Sequence, residues 1–299
     1  MTWFLRISIA LILLAVAAFG IFLGPAHLQI RGIEPTLPSE AELRALATTG
    51  RGPVSIRVAQ SSSQTGPDRN LSHAVVIIEW PDGRRFMIDA AMDREASEEF
   101  GALIGKLSPG MGPVVFKGSA ADLLGDEIAT VDGVGFTHLH VDHVQGVTAF
   151  CAARGTGARS YQTFAQATEH NLHTEDSARQ LEDSCLEPVV LPGEGLLTHS
   201  DFPGLGIVPL GGHTPGSTLF AVSIDGTLWL MSGDIANVKS KLLHNSGKGW
   251  VYSTLFVPEN TARTESLRLW LSALDEKPDI EVIVAHDFDA ALDSGLRPL

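Results

Sequence analysis

Residues 7–24 form a predominantly apolar stretch of 18 residues without a charge, with Arg6 before it and Pro25 after it. At 1.5 Å per residue a helix of that length approaches the roughly 30 Å hydrocarbon thickness of a bilayer, whereas a cleaved signal sequence carries only about 7–15 apolar residues. The pattern predicts a transmembrane helix or signal sequence over residues 1–24, and its length favours an uncleaved anchor. Small residues at Ala15, Ala17, Gly24 and Ala26 make removal by a signal peptidase the alternative. The N-terminal amine and Arg6 favour a cytoplasmic N-terminus, although Arg31 weakens that bias. The bulk of the chain is therefore expected outside the cytoplasm, periplasmic in a bacterium and secreted if the segment is cleaved.

Residues 25–52 place Pro25, Pro35, Pro38 and Gly50 around a short helical pattern at 40–47, and read as a linker that lifts the remainder off the membrane. From residue 53 the period changes. Residues 53–59 alternate, 61–69 form a polar loop, and 74–80 are continuously apolar. The turn Pro81-Asp82-Gly83 then leads into 85–91 as a hairpin. Continuous apolar strands belong in sheets covered on both faces. Downstream, helical patterns at 94–107, 118–124, 163–181 and 261–274 alternate with strand patterns at 112–116, 133–137, 206–209, 218–224, 227–231 and 280–285. Asp225-Gly226 marks a second hairpin. An α/β domain with mixed sheets over 53–299 follows.

Composition narrows the function. Hydrophobic residues at 44%, with 30 Gly and 16 Pro, exclude a disordered or collagen-like chain. A net charge of −14 disfavours nucleic acid as a partner. Cys151 and Cys185 lie in no thiolate metal pattern and read as two buried thiols or one disulfide.

The chemistry concentrates in Thr137-His138-Leu139-His140-Val141-Asp142-His143, directly after an apolar strand. Residues i and i+2 of a strand share a side, so His138 and His140 can grip one ion together. A turn after them presents Asp142 and His143 to a second ion, and Gly146 permits the close turn into the next helix. Histidine with carboxylate suits zinc best, with iron and manganese also accepted. Three further metal-capable residues each follow an apolar strand: His213 in Gly211-Gly212-His213-Thr214-Pro215-Gly216-Ser217, Asp234 after Ser232-Gly233, and His286 after Val284-Ala285.

With these residues the chain resembles the metallo-β-lactamase-fold hydrolases, whose HxHxDH hallmark matches His138, His140, Asp142 and His143. The resemblance covers roughly residues 53–290. It implies a four-layer αββα sandwich with the metals at one edge. It assigns His138, His140 and His213 to a first divalent ion, Asp142, His143 and His286 to a second, and Asp234 as the bridge. An Asp-x-Gly motif of the family appears only in part, as Asp89-Ala90-Ala91. Asp89 is expected to buttress the ligands, and with no glycine at 91 the shape of the turn that follows stays open.

The resemblance further implies metal-assisted hydrolysis, in which two ions lower the pKa of a shared water to about 7 and Asp142 orients the nucleophile. A bridging Asp is similar to the glyoxalase II, lactonase and phosphodiesterase branches, whereas true β-lactamases of the family place Cys or Ser there. Thirteen residues follow His286, fewer than the helical extension with which glyoxalase II-like enzymes grip glutathione. The expected substrate is a small carboxylic ester, lactone or thioester. Phosphodiester or β-lactam-type amide hydrolysis is one alternative, and a mononuclear iron persulfide dioxygenase another. Between Asp234 and Glu259 lie Lys239, Lys241 and Lys248 with no acidic residue, beside Gly247, Gly249, Trp250 and Tyr252. This reads as an active-site loop in which Lys239, Lys241 and Tyr252 contact the substrate, Tyr252 as an oxyanion donor. His170 and His173 sit in a polar segment and are expected to be exposed.

Overall fold

Val75 and Ile77 leave their strand on one side and Val76 and Ile78 on the other, and all four are buried. A strand covered on both faces needs a layer beyond its own sheet and its partner sheet, and the computed structural model, which describes residues 2–67 and 69–299, has one on the outer face of each sheet. The strands are β1 (Ser55–Thr65), β2 (Asn70–Glu79), β3 (Arg85–Ile88), β4 (Val114–Phe116), β5 (Val131–Gly135), β6 (Arg159–Thr163), β7 (Glu187–Leu191), β8 (Gly206–Pro209), β9 (Thr218–Ile224), β10 (Thr227–Met231), β11 (Ile280–Ile283) and β12 (Arg297–Pro298). One sheet runs β12-β1-β2-β3-β5-β6-β7 with β4 beside β1, and the other β11-β10-β9-β8. The metallo-β-lactamase-type αββα sandwich expected from the sequence is the architecture found.

Phe86, Ile88, Phe220, Val222 and Met231 fill the space between the sheets. Val134, Phe136 and Phe150 form the core under the helices on the outer face of the first sheet. Leu219, Leu230, Leu267 and Leu271 do the same for the second, beneath the helix Thr261–Asp275. Both hairpins read from the sequence form, with Val76 opposite Ile88 and Thr227 opposite Ile224. Asp225 and Gly226 both take positive φ, 51° and 82°, as a tight two-residue turn requires.

Three expectations are revised and one open alternative is decided. The polar stretch 61–69 is no loop as far as Thr65, and Asp68 lies outside the described residues. It continues β1 through a bulge at Ser61, whose hydroxyl donates 2.7 Å to the Gly118 carbonyl, so a buried serine is satisfied within a strand. The helical pattern 163–181 breaks into Phe164–Thr168 and Glu175–Glu182, and the strands β6 and β7 flanking it were not read. Cys151 and Cys185 are disulfide-bonded.

The third revision concerns residues 25–52, which do not stand away from the domain as a spacer. Helix Gly24–Arg31 buries Ala26 and Ile30, and Leu43 and Leu46 join the core on the second sheet. Arg44 pairs with Asp279, and the Thr36 amide donates 2.9 Å to Glu194. Proline content mimicked a linker, while the two leucines that fasten the segment are too sparse to show a period. The preceding helix, Thr2–Phe22, is long and apolar enough to cross a membrane, and none of its window Trp3–Phe22 is buried.

Candidate metal centre

The ends of strands β3, β5, β8, β10 and β11 converge on one edge of the sandwich and deliver Asp89, His138, His140, His213, Asp234 and His286 there. The short helix Val141–Val144, started by His140, adds Asp142 and His143. All seven residues read as metal ligands come together. One atom from each of His138, His140 and His213 lies within 4.8 Å of the others, as do those of His138, His143 and Asp234. His138 Nε2 and His140 Nδ1 approach to 2.9 Å. Asp234 faces both halves, with Oδ2 3.7 Å from His213 Nε2 and Oδ1 3.0 Å from His286 Nε2 and 3.7 Å from His143 Nε2.

The outer ring nitrogens decide which form these imidazoles take. His143 Nδ1 lies 2.8 Å from Asp89 Oδ2, His213 Nδ1 2.5 Å from Glu259 Oε1, and His286 Nδ1 2.8 Å from the Ser72 carbonyl. An oxygen that holds Nδ1 turns Nε2 inward, the nitrogen with which a histidine oriented in this way ligates a metal. His143 Nε2 and Asp234 Oδ1 have no hydrogen-bond partner although both are buried. Buried polar atoms are rarely left so, and a cation is the partner this donor set fits.

Protonation follows the same field. Burial and the neighbouring imidazoles hold His138 and His140 well below the ordinary histidine range. Burial lowers His143 as well, but the Asp89 and Asp142 carboxylates outweigh it and raise it to about 10. Asp142 stays below the usual carboxylate range against its burial because His143, His286 and His73 face it. The negative potential concentrated at the His143 end is what a divalent cation requires.

Asp89 stands behind the edge and touches two of its residues. It accepts from the Thr137 amide at 2.7 Å and the Thr137 hydroxyl at 2.8 Å as well as from His143. Asp89 and Ala91 take positive φ, 60° and 52°, so the turn keeps a glycine-type conformation with alanine in the glycine position. Gly146 serves a different purpose from the turn expected of it. A Cβ there would stand 2.1 Å from the Ala90 carbonyl oxygen, while its amide donates 2.8 Å to the Ala91 carbonyl. The helix carrying Asp142 and His143 can lie against the Asp89 turn because residue 146 has no side chain.

A family model described as the metallo-beta-lactamase superfamily matches residues 68–286. The chain belongs to the metallo-beta-lactamase superfamily. No curated protein matches it. Among solved structures, an N-acyl homoserine lactone hydrolase with the product N-hexanoyl-L-homoserine at its catalytic metal centre is 16% identical, with a TM-score of 0.58 over 82% of this chain and 98% of that one. A probable metal-dependent hydrolase from Staphylococcus aureus is also 16% identical, with a TM-score of 0.58 over 79% and 90%. The dizinc quorum-quenching lactonase AidC is 12% identical, with a TM-score of 0.51 over 73% of each chain. These likenesses are in fold.

Three groups at the edge of this metallo-beta-lactamase-superfamily domain were not read as site residues. His73, on β2, places Nδ1 3.5 Å from Asp142 Oδ2, its ring 5.0 Å from that of His286, and burial lowers it to about 3. It stands inside an apolar strand, where a single histidine gives no signal. Glu259 joins His213 to Ser253 Oγ, each at 2.5 Å. Burial raises its carboxyl, but Lys248 and His213 together bring it down to about 2. Lys248 was noticed only as part of the basic loop. Its buried ammonium lies 3.2 Å from Glu259, 3.5 Å from Asp234 and 3.0 Å from His213 Nδ1, and 5.5 Å over the Tyr252 ring.

The loop residues expected to touch substrate divide. Tyr252 is at the centre, and burial raises its phenol to about 12. Lys239 is not directed there, because its ammonium binds Asp275 and donates 2.7 Å to the Val282 carbonyl. Lys241 is half-buried in the last turn of the helix Lys239–Leu243. His170 and His173 are half-buried rather than exposed, and the His173 ring lies 6.1 Å from that of His140.

Proposed function

We propose that the chain is a dinuclear metal-dependent hydrolase that cleaves a small carboxylic ester, lactone or thioester. The observation that carries this reading is the three-way locking of His143, His213 and His286 by Asp89, Glu259 and the Ser72 carbonyl, which turns the three Nε2 atoms toward Asp234, at 3.7, 3.7 and 3.0 Å. His138, His140 and His213 would hold one divalent ion, Asp142, His143 and His286 the other, and Asp234 would bridge them, with zinc the metal this donor set fits best. Bound there, the ions supply Lewis acidity and activated water at neutral pH.

The remaining steps fall to the protein's own groups. Asp142, kept ionised by the surrounding histidines, orients the attacking water and accepts its proton. Tyr252 stays protonated through the neutral range and can donate its O–H to oxygen developing negative charge at the scissile carbonyl. Lys248 stays charged because Glu259 and Asp234 face it, against the effect of burial. Its ammonium favours the same anionic transition state. The product-bound lactone hydrolase and the dizinc lactonase of the same fold support a lactone or other carboxylic ester as the first substrate class to try.

The helix Thr2–Phe22 serves as a membrane anchor or signal sequence in this reading, and the Cys151–Cys185 disulfide supports placing the domain in an oxidising compartment outside the cytoplasm. A panel of lactone, carboxylic ester, thioester, β-lactam and phosphodiester substrates tests the proposal. Chelator-sensitive turnover of a carboxylic ester or lactone is expected. Turnover confined to the phosphodiester or β-lactam, or oxygen uptake with a persulfide, would replace it.

A further inference from the structure

We infer that the rim of the metal site is a membrane-docking surface, and that the substrate is an amphiphile with an acyl chain taken from the bilayer. This rests on the hydrolase reading for its substrate but not for its surface.

The rim is built from three segments in contact. Helix Gly24–Arg31 reaches it through His27, whose Nε2 lies 3.0 Å from the Thr254 carbonyl, and through Gln29, which donates 2.8 Å to Glu169. The segment holding Thr254 also carries Tyr252, which faces the site, and its Phe256 backbone meets His173, the neighbour of His140. Large apolar side chains stand in water along this rim: Leu28 is 72% exposed, Trp250 71%, Val251 52%, Leu172 50%, Phe256 45%, and Val141, between the ligands His140 and Asp142, 43%. Large apolar side chains exposed on neighbouring segments around a polar centre mark a surface that something covers.

The chain itself points to the lipid bilayer as the cover. The apolar helix Thr2–Phe22 passes almost directly into helix Gly24–Arg31, with the Leu23 amide bonded to the Phe19 carbonyl and the His27 amide to the Leu23 carbonyl. Leu28 lies six positions after Phe22, about 9 Å of helical rise. The rim is thus held within reach of the interface from which the anchor emerges. Trp250 is the residue type that settles at the headgroup level. The net charge of −14 disfavours an anionic surface and directs the docking to zwitterionic lipid.

The full chain in phosphatidylcholine vesicles tests this. Single cysteines at 250, 256 and 276 would be labelled with an environment-sensitive fluorophore, the native cysteines being disulfide-bonded. Glu276 follows the helix Thr261–Asp275, whose other end adjoins His213, and is about 22 Å from the site by helical rise. Blue-shifted emission at 250 and 256, quenched by doxyl-labelled lipid, with neither effect at 276, is the expected result. Water-like emission at all three positions overturns the inference. So does a blue shift that doxyl lipid leaves unquenched, since that reports a protein partner or a second copy. As a kinetic arm, the double variant L28S/F256S should slow hydrolysis of a long-acyl ester dispersed in the vesicles about tenfold and leave a soluble acetyl ester unchanged. Equal losses on both esters would contradict the inference. Lipid-quenched labels with no hydrolysis of any ester, lactone or thioester would sustain the surface and remove the proposed substrate class.

Discussion

Glu259 Oε1 lies 2.5 Å from His213 Nδ1, and the same carboxylate is 3.2 Å from the Lys248 ammonium, so a buried charge pair stands directly behind a candidate metal ligand. Carboxylates in that position orient the ring and raise its basicity, and their loss weakens metal binding about 10–100-fold. Glu259→Gln should lower zinc affinity by that factor, read by competition with a chromophoric chelator, and excess zinc should restore most of the turnover. Unchanged affinity would reduce the contact to a packing feature.

Lys239 and Lys248 lie nine positions apart and are expected to part company in kinetics. Lys248→Met removes a cation from the metal edge and should lower kcat/KM about 10–100-fold, from the ~1.5–3 kcal/mol of a charge-assisted hydrogen bond. Lys239→Ala removes the cation paired with Asp275 and leaves that carboxylate only the Val282 amide, which donates to it at 2.8 Å. It should cost about 1–3 kcal/mol of stability with kcat/KM unchanged. Thermal unfolding and steady-state kinetics on both variants decide the assignment, and a kinetic defect in Lys239→Ala would return that residue to the site.

Ala91 and Gly146 make a reciprocal pair. At φ 52° alanine carries the steric cost of left-handed backbone, about 1–2 kcal/mol, against about 0.4–1 kcal/mol of unfolded-state entropy that glycine restores. Ala91→Gly should therefore stabilise the protein slightly, by up to about 1 kcal/mol. Gly146→Ala has ordinary φ but no room, and should destabilise by about 1–3 kcal/mol while displacing Asp142 and His143. Denaturant unfolding of both variants, with zinc content measured on Gly146→Ala, checks the pair. Equal stability of Gly146→Ala and wild type would mean that the Asp89 turn yields.

Metal removal should cost stability as well as activity. Ligands that bind only the native state contribute about 4 kcal/mol at a thousandfold excess over Kd, which for a chain of this size is a fall in Tm of roughly 10 °C. Thermal unfolding before and after dialysis against a chelator measures it.

These expectations rest on a site that was largely legible. His138, His140, Asp142 and His143 sit within six residues, and His213, Asp234 and His286 each follow an apolar strand whose end must reach the sheet edge. Asp89 was readable even with alanine at 91, because the carboxylate acts through Thr137 and His143 rather than through the turn. Glu259 and His73 escaped because their importance is made by tertiary contact alone. Forty-six positions separate Glu259 from His213, and His73 is one polar residue in a buried strand. Residues 25–52 misled for the opposite reason: their prolines look like a linker, and the burial of Leu43 and Leu46 depends on a second sheet almost two hundred residues downstream.

Metal content by elemental mass spectrometry, on the purified full chain and on an Asp234→Asn variant, tests the central claim most directly. Two equivalents of zinc per chain, falling to one or fewer in the variant together with loss of chelator-sensitive ester or lactone hydrolysis, is the predicted result. A single equivalent of iron, or two equivalents retained by the variant with turnover intact, would contradict a dinuclear centre bridged by Asp234.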